Sequence, residues 1–147
     1  MHPFYNPVEN EFLSLLVNSG VRFVVIGGAA AQYHGVEERP RNDLDLLLEP
    51  TRENAARFVG ALQPKGFGIG ADDIEQIASP GQHIRVGEID VLTSAAGLDT
   101  SNAISTGLPV HFDGGVVLVL SKSNLIATKQ ARGAAKDCSD LEALSYE

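Results

Sequence analysis

The chain has 147 residues, is 44% hydrophobic, holds one cysteine and carries a formal charge of −8. That length is expected to form one compact domain over residues 1–147 with a sizeable core. An internal disulfide is excluded by the lone Cys138, extended nucleic-acid binding is disfavoured by the acidic balance, and a membrane helix needs about 18 apolar residues where the longest run is Val116 to Leu120.

Pro7 to Asn18 is expected to be a helix, capped by Asn6, stopped by Gly20, and turning Val8, Phe12, Leu15 and Leu16 inward. Val21 to Ile26 reads as a short apolar strand ending at Gly27-Gly28. A tight alanine-rich helix follows from Gly28 to His34, then a polar loop from Gly35 to Asn42, then a strand from Asp43 to Leu48. Thr51 caps a helix through Leu62 with Ala55, Phe58, Val59 and Leu62 inward. Breakers fill Pro64 to Gly70, a short helix covers Asp72 to Ala78, and Ser79-Pro80-Gly81 is a turn. Gln82 to Val86 and Glu88 to Thr93 form a hairpin around Gly87. Asp99 to Thr106 is read as one helix, Val110 to Phe112 and Val116 to Leu120 as strands, and Ser121 to Arg132 and Lys136 to Tyr146 as closing helices. The alternation implies an α/β (α+β) domain, a mixed sheet of about five strands flanked by helices.

Chemistry concentrates in three places. Asp43 and Asp45 stand one apart in an aliphatic strand, so they share a face and repel one another. Carboxylates at the edge of a core need a cation, and Mg²⁺ takes such oxygens while leaving positions for phosphate. Val24-Val25-Ile26-Gly27-Gly28 runs a strand through bare glycine backbone into a helix start, which suits phosphate oxygens. On its own this is a tight turn, and it lacks the lysine of a P-loop. Asp90 is a third acid in an apolar strand, Glu88-Ile89-Asp90-Val91-Leu92. If that strand lies beside the first, three carboxylates cluster. Glu88 is assigned to the solvent end of the hairpin, His34 to capping or packing, and His83 lies near Asp90.

Together, Gly27-Gly28, Asp43-Leu44-Asp45 and Asp90 resemble the signature of the nucleotidyltransferase superfamily, the DNA polymerase β-like fold. The likeness covers Val21 to Leu144. Leu125 to Lys129, with Lys136-Asp137 and Asp140-Leu141, is similar to small bacterial members, both toxin-system and antibiotic-modifying. Arg41 stands where such relatives often have threonine, and Gly133-Ala134 lacks their arginine. The resemblance implies a nucleotidyltransferase fold and transfer of a nucleoside monophosphate from an NTP to an acceptor hydroxyl on a small molecule, tRNA or protein. It implies two Mg²⁺ ions held by Asp43, Asp45 and Asp90, with Gly27, Gly28 and Lys129 contacting the nucleotide. The competing expectation is a non-catalytic module of a toxin–antitoxin-type system, acting on a partner protein or as a homodimer. The first residues, Met1 to Asn6, lack signal-peptide character, and a cytoplasmic location without membrane contact is expected.

Overall fold

The computed structural model describes residues 7–35 and 44–132. Helix α1 (Pro7–Asn18) leads into β1 (Phe23–Ile26), which passes directly into α2 (Gly27–Tyr33). Strand β2 (Leu44–Leu48) is followed by α3 (Arg52–Leu62), two short 3-10 turns and α4 (Ile74–Ile77). The hairpin of β3 (His83–Val86) and β4 (Ile89–Leu92) precedes α5 (Thr100–Ser105). Strands β5 (Leu108–Phe112) and β6 (Gly115–Val119) and helix α6 (Lys122–Arg132) complete the described chain.

All six strands form one mixed sheet in the order β3-β4-β2-β1-β6-β5, flanked by helices. Six strands replace the expected five or so, because every strand read from the sequence joins the one sheet, with β5 at the edge beside β6. Strands β2 and β4 are parallel neighbours, as are β1 and β6, while β1–β2, β3–β4 and β5–β6 are antiparallel.

The sequence reasons for this arrangement are local. Leu44, Leu46, Leu47 and Leu48 are fully buried, so β2 sits centrally, covered on both faces. In β4, Ile89 and Val91 are buried while Asp90 and Leu92 are half-buried, the alternation of a strand with two unlike faces. Thr51 caps α3 through its side chain, which accepts from the Asn54 backbone N–H. Helices α1 and α3 contribute the aromatic core, Phe12 standing edge-on to Phe58 at 6.2 Å and to Phe67 at 5.3 Å. Phe12 and Leu16 are buried as expected, whereas Val8 is 60% exposed and Leu15 only partly buried; Leu13 is buried beside them, so the apolar stripe of α1 starts one turn later.

One buried polar side chain helps fix the register on which the site depends. Asn54 Oδ1 accepts from the Arg22 N–H at 2.7 Å. Its amide donates to the carbonyls of Arg22 and Glu49 at 2.9 and 3.0 Å. This ties the entry of β1 to the exit of β2 and leaves Phe23 opposite Leu48 and Ile26 opposite Asp45. At the other end His34, the residue capping α2, donates from Nε2 to the Leu120 carbonyl at 2.8 Å. The reading of His34 as a structural residue agrees with this geometry. Among the described residues no helix is long and apolar enough to cross a membrane.

Candidate active site

Strand register builds the site. Ile26 pairs with Asp45, Asp45 with Asp90, and Asp90 with Arg85, so one row crosses β1, β2, β4 and β3. Residues paired across a sheet project to the same face, and adjacent strands lie about 4.8 Å apart. Asp45 and Asp90, forty-odd positions apart in the chain, are thus side-by-side carboxylates. The next row on that face runs Val24, Leu47, Leu92 and His83.

Above these rows lies a cleft of about 410 Å³. Its floor holds Asp45 and Asp90, with Ile26 and Gly27 at one side and His83 at the other. Leu92, Ala95, Leu98 and Leu125 give it apolar walls, and Thr128 and Lys129 reach it from α6. Leu125, Thr128 and Lys129 follow the i, i+3, i+4 spacing of one helix face. Gly97 lets the loop after β4 pack against α6: its φ is +76°, and a Cβ there would lie 2.9 Å from the Ala127 carbonyl oxygen. That contact fixes the helix which carries Lys129.

Lys129 is only 4% exposed, and it lines the same cleft as both acids. Position in the sequence alone describes an ordinary surface lysine; the structure corrects that description. Gly27 has φ +66°, and any Cβ at this position would run into the Asp45 carboxylate. Bare backbone is therefore a condition for the carboxylate's place. Gly28 is the second residue of α2 and is not among the residues lining the cleft. Asp43 lies outside the described residues, as do Arg39, Arg41, Lys136, Asp137 and Cys138, and the proposed closing helix from Lys136 to Tyr146. Glu88 sits exposed in the hairpin turn, as expected.

Asp90 is firmly held. Arg85 Nη1 donates to both its oxygens at 3.0 Å, and His83 Nε2 lies 2.8 Å from Oδ1. Burial pushes the Asp90 carboxyl up, but hydrogen bonds from His83 and Arg85 and their positive charge outweigh it, leaving the group below the ordinary carboxylate value. The sign of the linked stability follows. A lowered folded value adds stability above the unfolded pKa of about 3.9, and that stability disappears as pH falls through the folded value. Asp90 is 13% exposed, but Arg85 and His83 are 49% and 61% exposed, so solvent limits the contribution to about 1 kcal/mol. Asp90→Asn is expected to be less stable than the parent by this amount in urea at pH 7 and indistinguishable from it near pH 2.

Arg85 was not singled out in the sequence, although a signal for it was there. A two-residue turn with glycine first is a hairpin signature, and Gly87 has φ +61°. Such a turn pairs Val86 with Ile89, and hence Arg85 with Asp90.

The donor set fits a hard divalent ion: two neighbouring carboxylates open onto a cleft with room for phosphate. Among the described residues no group of three acidic, histidine or cysteine side chains forms a complete metal cage. No protein-family model and no curated protein sequence matches the chain.

Proposed function

We propose that the protein is a Mg²⁺-dependent nucleotidyltransferase, moving a nucleoside monophosphate from an NTP to an acceptor hydroxyl. The observation that carries this reading is the pairing of Asp45 with Asp90 on parallel strands beneath a cleft that also receives Lys129. Carboxylates of unrelated segments are rarely set side by side unless a cation joins them. The likeness of Gly27-Gly28, Asp43-Leu44-Asp45 and Asp90 to the superfamily signature points the same way.

Asp45 and Asp90, with Asp43, would hold the ions, which when bound would neutralise the charge of the triphosphate and of the attacking acceptor oxygen. The chain's own groups do the remainder. Lys129 places its ammonium against the phosphate tail, in a cleft whose apolar walls limit water and so strengthen the attraction. Gly27, by lacking a side chain, leaves room for the Asp45 carboxylate at the site, and Gly28 adds an amide at the start of α2. Leu92, Leu98 and Leu125 offer a surface to the nucleoside. The acceptor oxygen bonds to the α-phosphorus, the bond from that phosphorus to the bridging oxygen breaks, and pyrophosphate leaves. The hydroxyl proton passes to Asp90, which hands it on to water.

The test is incubation with each labelled NTP and Mg²⁺, with small-molecule, tRNA and protein acceptors, reading NTP binding and pyrophosphate release. Transfer that disappears with a chelator is the expected result; absence of any Mg²⁺-dependent NTP binding defeats the proposal. The grip of Arg85 and His83 on Asp90 favours one second reading, a non-catalytic module that binds NTP and acts through a partner protein. Its mark is NTP binding with no pyrophosphate released for any acceptor.

A further inference from the structure

The row Asp45–Asp90–Arg85 contains its own cation. A carboxylate offers about four lone-pair positions. On Asp90, Arg85 uses one at each oxygen, and His83 uses a second at Oδ1. One position, on Oδ2, is left by these three bonds. The charges tell the same story. Among the described residues, the cleft and its row set Lys129 and Arg85 beside Asp45 and Asp90, so Arg85 already offsets the charge of Asp90 before a divalent ion arrives.

We infer that Arg85 and a divalent ion are alternative neutralisers of Asp90, and that Arg85 keeps the nucleotide-free site from loading metal by itself. Arg85 sits on β3, an edge strand, with half its side chain in solvent, so the guanidinium can leave Asp90 without disturbing the core. It has reason to leave only when other oxygens replace the carboxylate. A triphosphate supplies them, and it brings negative charge that restores the attraction for metal. The metal is therefore taken up as its complex with the nucleotide. His83 supports the clamp from the adjacent row, holding Oδ1 turned toward β3. This inference rests on the nucleotidyltransferase reading, and it makes Arg85 a positioning residue that sets the order of loading.

The test is Mn²⁺ binding, followed by electron paramagnetic resonance of the free ion, on the full chain without nucleotide. Arg85→Ala is expected to bind Mn²⁺ about tenfold more tightly than the parent, as removal of a unit charge beside a half-exposed site allows. Arg85→Lys should fall between, because a lysine keeps a positive charge but, more strongly hydrated and on a flexible stem, holds it less firmly beside Asp90. Adding Asp90→Asn to Arg85→Ala should erase the gain. Circular dichroism establishes that each variant is folded, and Arg85→Lys carries the test if Arg85→Ala is not. Equal or weaker Mn²⁺ binding by folded Arg85 variants overturns the clamp while leaving the parent reading intact. A chain that takes up neither Mn²⁺ nor its complex with a methylene-bridged NTP, in any variant, overturns both.

Discussion

Asp45→Asn is expected to lower kcat/KM for nucleotidyl transfer by ~10³-fold or more, about 4 kcal/mol of transition-state stabilisation. The amide keeps the volume of the carboxylate and replaces a full negative charge by a dipole. A neutral oxygen is a poor ligand for a hard divalent ion. The loss therefore falls on the charged, metal-dependent part of the site. Asp45 is half-buried on the floor of the cleft, and its β2 neighbours Leu44, Leu46, Leu47 and Leu48 are fully buried without its help. The melting temperature should accordingly move by no more than a few degrees, the shift of about 1 kcal/mol in a chain of this size. Saturating Mn²⁺ together with NTP should no longer raise it. Retention of more than a tenth of parental transfer by folded Asp45→Asn would remove Asp45 from the catalytic site, and Asp90→Asn, its register partner, gives the independent check.

Much of this was readable from residue patterns because the patterns are local. The breaks at Gly20, Gly27, Gly66 and Gly87 are positions with positive φ, where glycine is the residue that fits. Thr51 announces α3, and the acid set among leucines marks β2 as the strand of interest. What the patterns could not supply was pairing between distant strands. That Asp90 belongs beside Asp45 depends on β4 lying parallel to β2, which no local feature dictates. Periodicity also misjudged Val8, since hydrophobic spacing does not say where a helix begins to meet its neighbours. Lys129 shows the same limit in polar form. A lysine on a helix reads as solvated until the loop at Gly97 is seen pressing α6 down over the cleft.

Gly27→Ala probes the tightest joint of the site and should be costly on two counts. An L-residue at φ +66° costs about 1 kcal/mol or somewhat more for the left-handed backbone. The new methyl also meets the Asp45 side chain, lying 3.1 Å from its Cβ and Cγ and closer still to Oδ2. Relief requires Asp45 to leave its rotamer or β2 to give way, adding about 1 kcal/mol or more. A total loss near 2–3 kcal/mol should lower the melting temperature by about 6–10 °C. Transfer should fall by about 100-fold beyond any loss of folded protein, since an ångström of displacement at a reacting group is enough for that. Pairing Gly27→Ala with Asp45→Ala separates the two contributions. Once Asp45 ends at Cβ, the carboxylate collision is gone and the backbone cost remains, so the pair should couple by about 1 kcal/mol. Strict additivity would mean that Gly27 serves only the turn into α2. Coupling of the expected sign would mean that the absence of a side chain on β1 is what allows the carboxylate of β2 to stand beside Asp90.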